Sequence, residues 1–189
     1  MTALLRLEGV ALARGGRLLF EGLDLALEPG GALQVGGPNG SGKSSLLRLA
    51  AGLLSAERGQ ITAGQAALAD DLIALDRELP LARALDFWAG LSGNAGRREA
   101  AMAAMGLAAL GAVPVRILSS GQLRRAAIAR VIASGAPLWL LDEPLNALDR
   151  DGADRLAEAI TTHRKAGGAV LAASHAPLPG AWARLELGP

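Results

Sequence analysis

The stretch Gly37-Pro38-Asn39-Gly40-Ser41-Gly42-Lys43-Ser44 decides how the rest of this chain is interpreted. Its glycines and its closing Lys-Ser pair follow the pattern G-x-x-x-x-G-K-[ST], which is typical of loops that cradle phosphate groups. The apolar residues 32–35 before it predict a buried strand, and residues 44–50 after it carry apolar side chains at helical spacing. A strand, a glycine loop and a helix in this order are the context that the pattern requires.

Such a loop binds anions because glycine lets the backbone curl until successive N–H groups point inward, and the following helix adds the partial positive charge of its N-terminus. We expect Lys43 to contact the β- and γ-phosphates of a nucleotide and the hydroxyl of Ser44 to ligate Mg²⁺. Ser45 completes the candidate nucleotide-binding set. A glycine-rich turn that binds nothing is the alternative, and the flanking strand and helix make it the weaker one.

The composition excludes several classes of site. The 189 residues carry a net charge of +1 and only 3% aromatic side chains, so neither a basic field nor a set of stacking platforms points to a nucleic-acid partner. Without cysteine there is no disulfide, zinc–cysteine site or thiol catalysis. The mean hydropathy of +0.30 is high, but the uncharged residues 100–115 are mostly Ala and Gly and are too short to span a bilayer.

Around the loop, hydrophobic periodicity predicts an α/β chain. Short apolar or alternating runs at residues 4–7, 18–20 and 23–27 predict β-structure, residues 59–64 a further strand, and residues 72–75 a buried strand. Apolar residues at helical spacing over 81–91 and 97–110 predict a small helical subdomain at about 79–118, inserted in a single domain that covers 1–189. Trp88, Met102 and Met105 either pack inside this subdomain or bind a helix of a partner protein.

The second half of the chain alternates helices and apolar runs. A helix from the pentapeptide at 118–122 to Ser134 is expected to place Arg124, Arg125 and Arg130 on its outer side. The apolar residues 137–141 end in Asp142-Glu143, an amphipathic helix follows at 149–165, and residues 169–173 and 184–187 predict two more strands.

Asp142 and Glu143 are candidates for the chemistry. At the end of a strand beside the phosphate loop, Asp142 would hold Mg²⁺ directly or through water, and Glu143 would polarise the attacking water as general base. Taken alone, an Asp-Glu pair after a strand is as often a solvated turn.

The pentapeptide Leu118-Ser119-Ser120-Gly121-Gln122 resembles the ABC-family signature LSGGQ, with Ser120 in place of the first glycine. Ala147-Leu148-Asp149 resembles the D-loop of that family, and His175 after a strand resembles its switch histidine. With the phosphate loop and Asp142, these motifs stand in the family's order over essentially the whole chain. The resemblance implies a P-loop ABC ATPase: a mostly parallel sheet flanked by helices, an N-terminal antiparallel β-subdomain and the inserted helical subdomain.

The same resemblance implies that two copies pair head to tail around two ATP molecules. Each γ-phosphate would then contact Lys43 of one copy and the signature residues of the other, which are Ser119, Ser120, Gly121 and Gln122. His175 would contact the γ-phosphate and orient Glu143, and Asp149 would belong to the D-loop. His163 matches no motif, so we expect a solvated surface histidine.

Two positions depart from the family pattern. The aromatic residue that usually stacks on adenine is missing, and Arg14, whose guanidinium can stack on a base, is the candidate, with a plain surface arginine as the alternative. After the strand predicted at 72–75 the family usually places a Gln that reaches Mg²⁺. Asp76 stands near that position and would serve as a carboxylate ligand, or the contact is lost.

Within the family, the chain resembles the heme exporter ATP-binding subunits of cytochrome c biogenesis. The resemblance rests on Arg14-Gly15-x-Arg17-x-Leu19-Phe20, on the Ser120 form of the signature followed by Arg124-Arg125, on residues 141–149 and on Ser174-His175-x-Pro177-Leu178. It implies a peripheral subunit on the cytoplasmic face of a bacterial inner membrane, where ATP hydrolysis by the chain and its integral membrane partners powers heme export or the release of a heme-loaded chaperone.

Two alternatives are weighed against this function. The first is the ATPase subunit of another small bacterial exporter. The second is a soluble ABC ATPase that works on DNA or ribosomes, which is disfavoured because the chain has neither the long coiled-coil insertion nor the second ATPase domain of those proteins.

Overall fold

The computed structural model describes residues 2–91, 93 and 96–188. Ser92, Asn94 and Ala95, which belong to the predicted helical subdomain, lie outside the described residues. The described elements are β1 (Leu5–Arg14), β2 (Arg17–Leu27), β3 (Ala32–Gly36), α1 (Lys43–Ala50), β4 (Arg58–Ala63), β5 (Ala66–Ala69), α2 (Leu81–Leu91), α3 (Arg98–Ala104), α4 (Ser120–Ser134), β6 (Leu138–Asp142), α5 (Arg150–Lys165), β7 (Ala169–Ala173) and β8 (Ala183–Glu186). Short 3-10 turns at Ala108–Leu110 and Val115–Ile117 complete the set.

The chain divides into two compact units. The first consists of residues up to 68, 137–143 and from 163 onward, and the second of residues 69–136 and 144–162. The predicted helical subdomain lies within the second unit. In the described part of the chain, no helix combines the length and the apolar character that crossing a bilayer needs.

A five-stranded sheet with the order β5-β6-β7-β3-β8 carries the functional loops of the first unit. Strand β3 pairs in parallel with β7 and with β8, and β6 pairs in parallel with β7. Because the carboxyl ends of parallel strands meet at one edge of a sheet, the segments that follow β3, β6 and β7 emerge together. These segments are the phosphate loop, Glu143 and Ser174-His175.

The core of the first unit lies on one face of this sheet. Leu33 and Val35 of β3 belong to a buried cluster that also contains Leu46 and Leu47 of α1, and α1 packs against β6 and β7. Alternation along a strand sends the side chain of Gln34 to the opposite face. Burial of the apolar face of α1 therefore holds the helix, and the loop before it, against the strand ends.

The antiparallel sheet of the first unit has the order β2-β1-β4, as expected for the N-terminal β-subdomain. The two runs predicted at 18–20 and 23–27 form one strand, β2, and Gly22 lies inside it at a φ of 64°. Its pairing with β1 shifts register between Val10 and Leu12, which are opposite Leu23 and Phe20, so the extra residue lies on β2 beside Gly22. Glycine at a positive φ allows such a bulge. Strand β2 therefore continues through Gly22, although glycine often marks the end of a strand.

The second unit confirms the helix predicted at 81–91, whereas the one predicted at 97–110 is shorter. Helix α3 ends at Ala104 because Gly106, at a φ of 65°, turns the chain back. Met102 and Met105 are buried, as packing residues should be. The guanidinium of Arg130 lies 4.6 Å from the ring centroid of Trp88, an arrangement that favours the cation.

The prediction that the arginines of α4 face outward is wrong for two of them. Arg124 and Arg130 are 8% and 6% exposed. Both α2 and α3 pack against α4, so the helix has partners on more than one side. Arg124 donates from Nη1 to the carbonyl of Asp70 at 3.4 Å, and burial lowers the pKa of Arg130 from its usual value, an effect that the charge of Asp70 opposes.

The strand predicted at 72–75 is also wrong. The strand of this region is β5 (Ala66–Ala69), and Leu72 is 72% exposed. The reason lies in Asp70, whose Oδ1 accepts a hydrogen bond from the backbone N–H of Leu72 at 3.1 Å. Such an Asx turn gives the backbone a local partner in place of a strand neighbour and bends the chain.

Candidate functional site

The loop at 37–44 connects the end of β3 to the start of α1, as the motif requires. Gly37, Gly40 and Gly42 have φ values of 126°, 80° and 103°, a region that side chains with a Cβ rarely adopt. A Cβ at Gly37 would overlap the carbonyl oxygen of Leu187 and lie 2.9 Å from Oγ of Ser41. The glycines are therefore needed both for the curl of the backbone and for its close approach to β8.

Lys43 is held at this loop by hydrogen bonds to the backbone. Its Nζ donates to the carbonyls of Gly37 at 2.7 Å and Pro38 at 3.0 Å, and the residue is only 7% exposed. Oγ of Ser41 is buried and has no hydrogen-bond partner among the described residues. A buried hydroxyl without a partner costs free energy, and it fits a loop that receives an anion.

The residues proposed for Mg²⁺ have suitable chemistry. Asp142 ends β6 and is 7% exposed, and Ser44 lies in the first turn of α1, the helix that packs against β6. Mg²⁺ prefers oxygen ligands and is usually held by one or two carboxylates together with substrate phosphates and water. A carboxylate and a hydroxyl at the loop fit that preference, and Mg²⁺ ligation by Asp142 and Ser44 stays a prediction.

Glu143 and His175 are brought together by the sheet. Oε1 of Glu143 lies 3.4 Å from Nε2 of His175, and its Oε2 accepts a hydrogen bond from the backbone N–H of His175 at 3.4 Å. The side chains are 21% and 51% exposed, so a water molecule can reach both. A carboxylate beside an imidazole in this position has the geometry of an oriented general base.

The backbone at Glu143 is strained. Its φ is 44°, and Ala147 nearby in sequence has a φ of 62°. For residues with a Cβ the left-handed conformation costs about 1–2 kcal/mol. A hydrogen bond from the N–H of Glu143 to the carbonyl of Ala173, at 2.8 Å, holds the strained peptide against the end of β7. Strain of this kind is concentrated at functional sites.

The signature residues form the N-terminus of α4 in the second unit. Ser119 is the N-cap: its Oγ accepts from the N–H of Gln122 at 3.3 Å, while Oε1 of Gln122 accepts from the N–H of Ser119 at 2.9 Å. This capping box uses a lone pair of the serine hydroxyl and leaves its proton available to a phosphate oxygen. Ser119 and Ser120 are both exposed.

Gly121 of the signature lies against the segment that carries the D-loop residues. A Cβ at Gly121 would lie 2.9 Å from the carbonyl oxygen of Ala147. Asp149 has a structural role that the sequence did not indicate, because its Oδ1 accepts from the N–H of Gly152 at 2.8 Å and caps α5. Its role in a D-loop stays a prediction.

Arg14 ends β1 and faces Arg17 across the turn at Gly15-Gly16. It is exposed. The following strand reaches the phosphate loop, since a Cβ at Gly42 would lie 3.2 Å from Cβ of Leu19. The hairpin therefore lies beside the loop, and stacking of Arg14 on a base stays a prediction.

Asp76 does not follow a strand, contrary to prediction, because residues 72–75 form none. Asp76 is exposed, and its Oδ1 accepts from the N–H of Glu78 at 2.9 Å, which closes a local turn. The carboxylate that directly follows β5 belongs to Asp70, which is 7% exposed.

The expectation of a solvated His163 is also wrong. Its ring stacks on Trp139 with centroids 3.9 Å apart and an interplanar angle of 12°, and Nε2 lies 3.1 Å from the carbonyl oxygen of Pro137. Burial lowers the pKa of His163. A Cβ at Gly168 would overlap the ring, so the glycine that follows α5 makes room for it.

Sequence reasoning missed Gln34. It is the single amide in the apolar strand β3, it is 6% exposed, and it hydrogen-bonds the segment around His175. The signal in the sequence was a single polar residue within an apolar strand, because a buried polar group needs a hydrogen-bond partner.

Comparison with known proteins agrees with this geometry. The family model described as ABC transporter matches residues 20–146. The chain is 59% identical, over 93% of its length and 91% of the relative's, to the cytochrome c biogenesis ATP-binding export protein CcmA of Sphingopyxis alaskensis. It is 52% identical to the CcmA of Novosphingobium aromaticivorans, over 89% of the chain and 87% of that relative.

Solved structures show the same fold. An ABC transporter ATP-binding protein from Pyrococcus furiosus superimposes with a TM-score of 0.84 at 23% identity, over 97% of this chain and 96% of that one. The phosphate loop, the Glu143–His175 pair, the capped signature and these relatives lead to one conclusion. The chain belongs to the ABC transporter family, in its group of cytochrome c biogenesis ATP-binding export proteins.

Proposed function

We propose that this chain, an ABC-type ATPase of the cytochrome c biogenesis group, works as a pair of copies that hydrolyse ATP between them and drive integral membrane subunits. Its place would be the cytoplasmic face of a bacterial inner membrane, attached peripherally. The work done would be heme export or the release of a heme-loaded chaperone during the maturation of c-type cytochromes.

The observation that carries the ATPase reaction is the Glu143–His175 pair at the edge of the sheet where the phosphate loop begins. Glu143 would accept a proton from the water that attacks the γ-phosphorus, while His175 holds the carboxylate in place and contacts the phosphate. Lys43, already at the loop, would stabilise the negative charge on the β- and γ-phosphates. Mg²⁺ would supply further charge neutralisation when bound.

The pairing of two copies is supported by the signature. Ser119 and Ser120 are exposed at the N-terminus of a 15-residue helix, whose first turn includes the half-buried Gly121, and N–H and O–H donors are available there. We infer that these donors bind the γ-phosphate held by the phosphate loop of the second copy. ATP would then close the pair, and hydrolysis would remove the group that holds it closed.

The link to the maturation of c-type cytochromes is supported by the similarity to cytochrome c biogenesis ATP-binding export proteins. It is testable by complementation: the chain is expressed in a bacterium that lacks its own CcmA, and covalent heme in c-type cytochromes is stained. We expect cytochrome c to be restored by the chain and not by Lys43→Ala, which loses the loop cation. ATP hydrolysis by the purified chain without any restoration would instead favour the ATPase of another small exporter.

A further inference from the structure

Gln34 lies on β3 of the five-stranded sheet, between β7 and the edge strand β8, on the face opposite the apolar cluster. It is 6% exposed and stands among apolar neighbours in β3. A buried amide is costly unless its donors and its acceptor are all used. The hydrogen-bond partners of this amide therefore indicate its role.

Both hydrogen bonds that the amide donates and the one that it accepts are formed with the segment 174–178. Nε2 donates to the carbonyls of Ser174 at 3.2 Å and Ala176 at 2.9 Å, and Oε1 accepts from the N–H of Leu178 at 3.3 Å. These groups lie on both sides of His175. The carbonyls directly before and after the histidine thus both accept hydrogen bonds from one side chain of β3.

Besides Gln34 and Glu143, the segment is held by a hydrogen bond from the N–H of Ser174 to the carbonyl of Val35 at 3.2 Å and by the buried side chain of Leu178. A cavity of about 390 Å³ borders it and is lined by His175, Pro177, Arg184 and Glu186, among others. The one further side-chain bond within the segment runs from Oγ of Ser174 to the carbonyl of Ala176, at 2.9 Å, in the part of the chain that the structure describes. His175, Ala176 and Pro177 are exposed, so around the histidine itself hydrogen bonds contribute more than packing to the path of the backbone.

We propose that Gln34 is a positioning residue for ATP hydrolysis, which acts by fixing the backbone on both sides of His175 and so sets the imidazole against Glu143. The contacts of His175 with Glu143, through Nε2 and through the backbone N–H, are both 3.4 Å long and depend on this path. A shift of about 1 Å in a catalytic group is enough to reduce turnover strongly.

Glutamine suits this role better than its isosteres. A carboxylate at the same position would face two carbonyl oxygens and could only accept from Leu178. A methionine would fill the space and form none of the bonds. Gln34→Met therefore removes all three bonds, and Gln34→Glu removes the two donated by Nε2, each with little change of volume.

The test measures ATP affinity, kcat and hydrogen exchange in the purified full chain. For Gln34→Met we expect ATP affinity within about twofold of wild type and kcat reduced about tenfold. Relative to wild type, hydrogen exchange should accelerate more at the amides of 174–178 than at those of β7. In Gln34→Glu, a lower pH protonates the carboxyl group and restores one donor, so its kcat relative to wild type should rise as the pH falls.

Trp182→Phe is the matched control, since Nε1 of Trp182 donates to the carbonyl of Pro179 at 3.0 Å, just beyond the segment. It should keep wild-type kcat. An unchanged kcat in Gln34→Met overturns the proposal, and so does a loss of ATP affinity as large as the loss of kcat, because that indicates a general distortion of the phosphate loop. If Gln34→Met does not fold, Ser174→Ala should lower kcat about twofold to threefold, and wild-type kcat there overturns the proposal.

Discussion

Nε2 of His175 lies 3.4 Å from Oε1 of Glu143, although 32 residues separate the two along the chain. The distance follows from the parallel pairing of β6 with β7, in which Asp142 is opposite Ala173. The residues that follow these two partners are therefore neighbours at the edge of the sheet.

Glu143→Gln removes the proposed base and keeps the shape of the side chain. We expect ATP hydrolysis to fall by about 100-fold or more, because general bases contribute on the order of 10²–10⁴ to rate. ATP binding should be retained, and a dimer should accumulate in size-exclusion chromatography with MgATP. The exposed Glu57→Gln serves as the control and should hydrolyse ATP normally. Persistent turnover in Glu143→Gln would remove Glu143 as the base.

Ser41→Ala tests whether the buried hydroxyl without a described partner is reserved for phosphate. The substitution removes an unsatisfied buried group, so the nucleotide-free chain should unfold at the same temperature or a higher one. ATP affinity should fall about fivefold to tenfold, since a hydrogen bond to a charged partner contributes on the order of 1 kcal/mol or more. Thermal unfolding with and without ATP measures both effects. A less stable nucleotide-free variant with normal ATP affinity would indicate a purely structural serine.

Gly121→Ala tests the close approach between the signature and the carbonyl of Ala147. A Cβ at 2.9 Å forces the backbone to move, so we expect a loss of stability of about 1–3 kcal/mol and loss of the ATP-dependent dimer. Gly90→Ala is the matched control: no described atom lies within 4 Å of a Cβ there, and Gly90 is inside α2. It should be neutral or stabilise by about 0.5–1 kcal/mol. Equal effects of the two substitutions in urea denaturation would contradict the packing argument.

His163 should make stability depend on pH. Burial lowers its pKa below the ordinary 6.5, so the folded chain binds fewer protons than the unfolded chain at acidic pH. The free energy of unfolding should therefore fall as the pH drops from about 6.5 through the lowered pKa, and be unaffected by this group above 6.5. His163→Gln cannot titrate and should show a shallower decline between pH 7.5 and 5.5 in urea denaturation. Lys165→Gln, which keeps the ring, should retain the wild-type slope.

The errors of sequence interpretation share a physical origin. Residues 72–75 looked like a strand because they are apolar, but the Asx turn at Asp70 competes with strand pairing, and apolarity alone does not record that competition. Arg124 and Arg130 looked like a solvated face because they are charged, whereas α2 and α3 both pack against α4. A local hydrogen bond decided the first case and tertiary packing the second, and neither can be seen in the apolarity or charge of the residues alone.

Local sequence determined the phosphate loop, the capping box of the signature, the Asp-Glu pair after β6 and most boundaries of the helices and strands. These features are set by short stretches, because glycine torsions, capping hydrogen bonds and hydrophobic periodicity depend on neighbours within a few residues. Only the tertiary structure decided that Glu143 meets His175, that Gln34 holds the segment around that histidine, and that His163 stacks on Trp139. Those contacts arise from the register of parallel strands and from what covers each face of the sheet, and both depend on residues far apart in the chain.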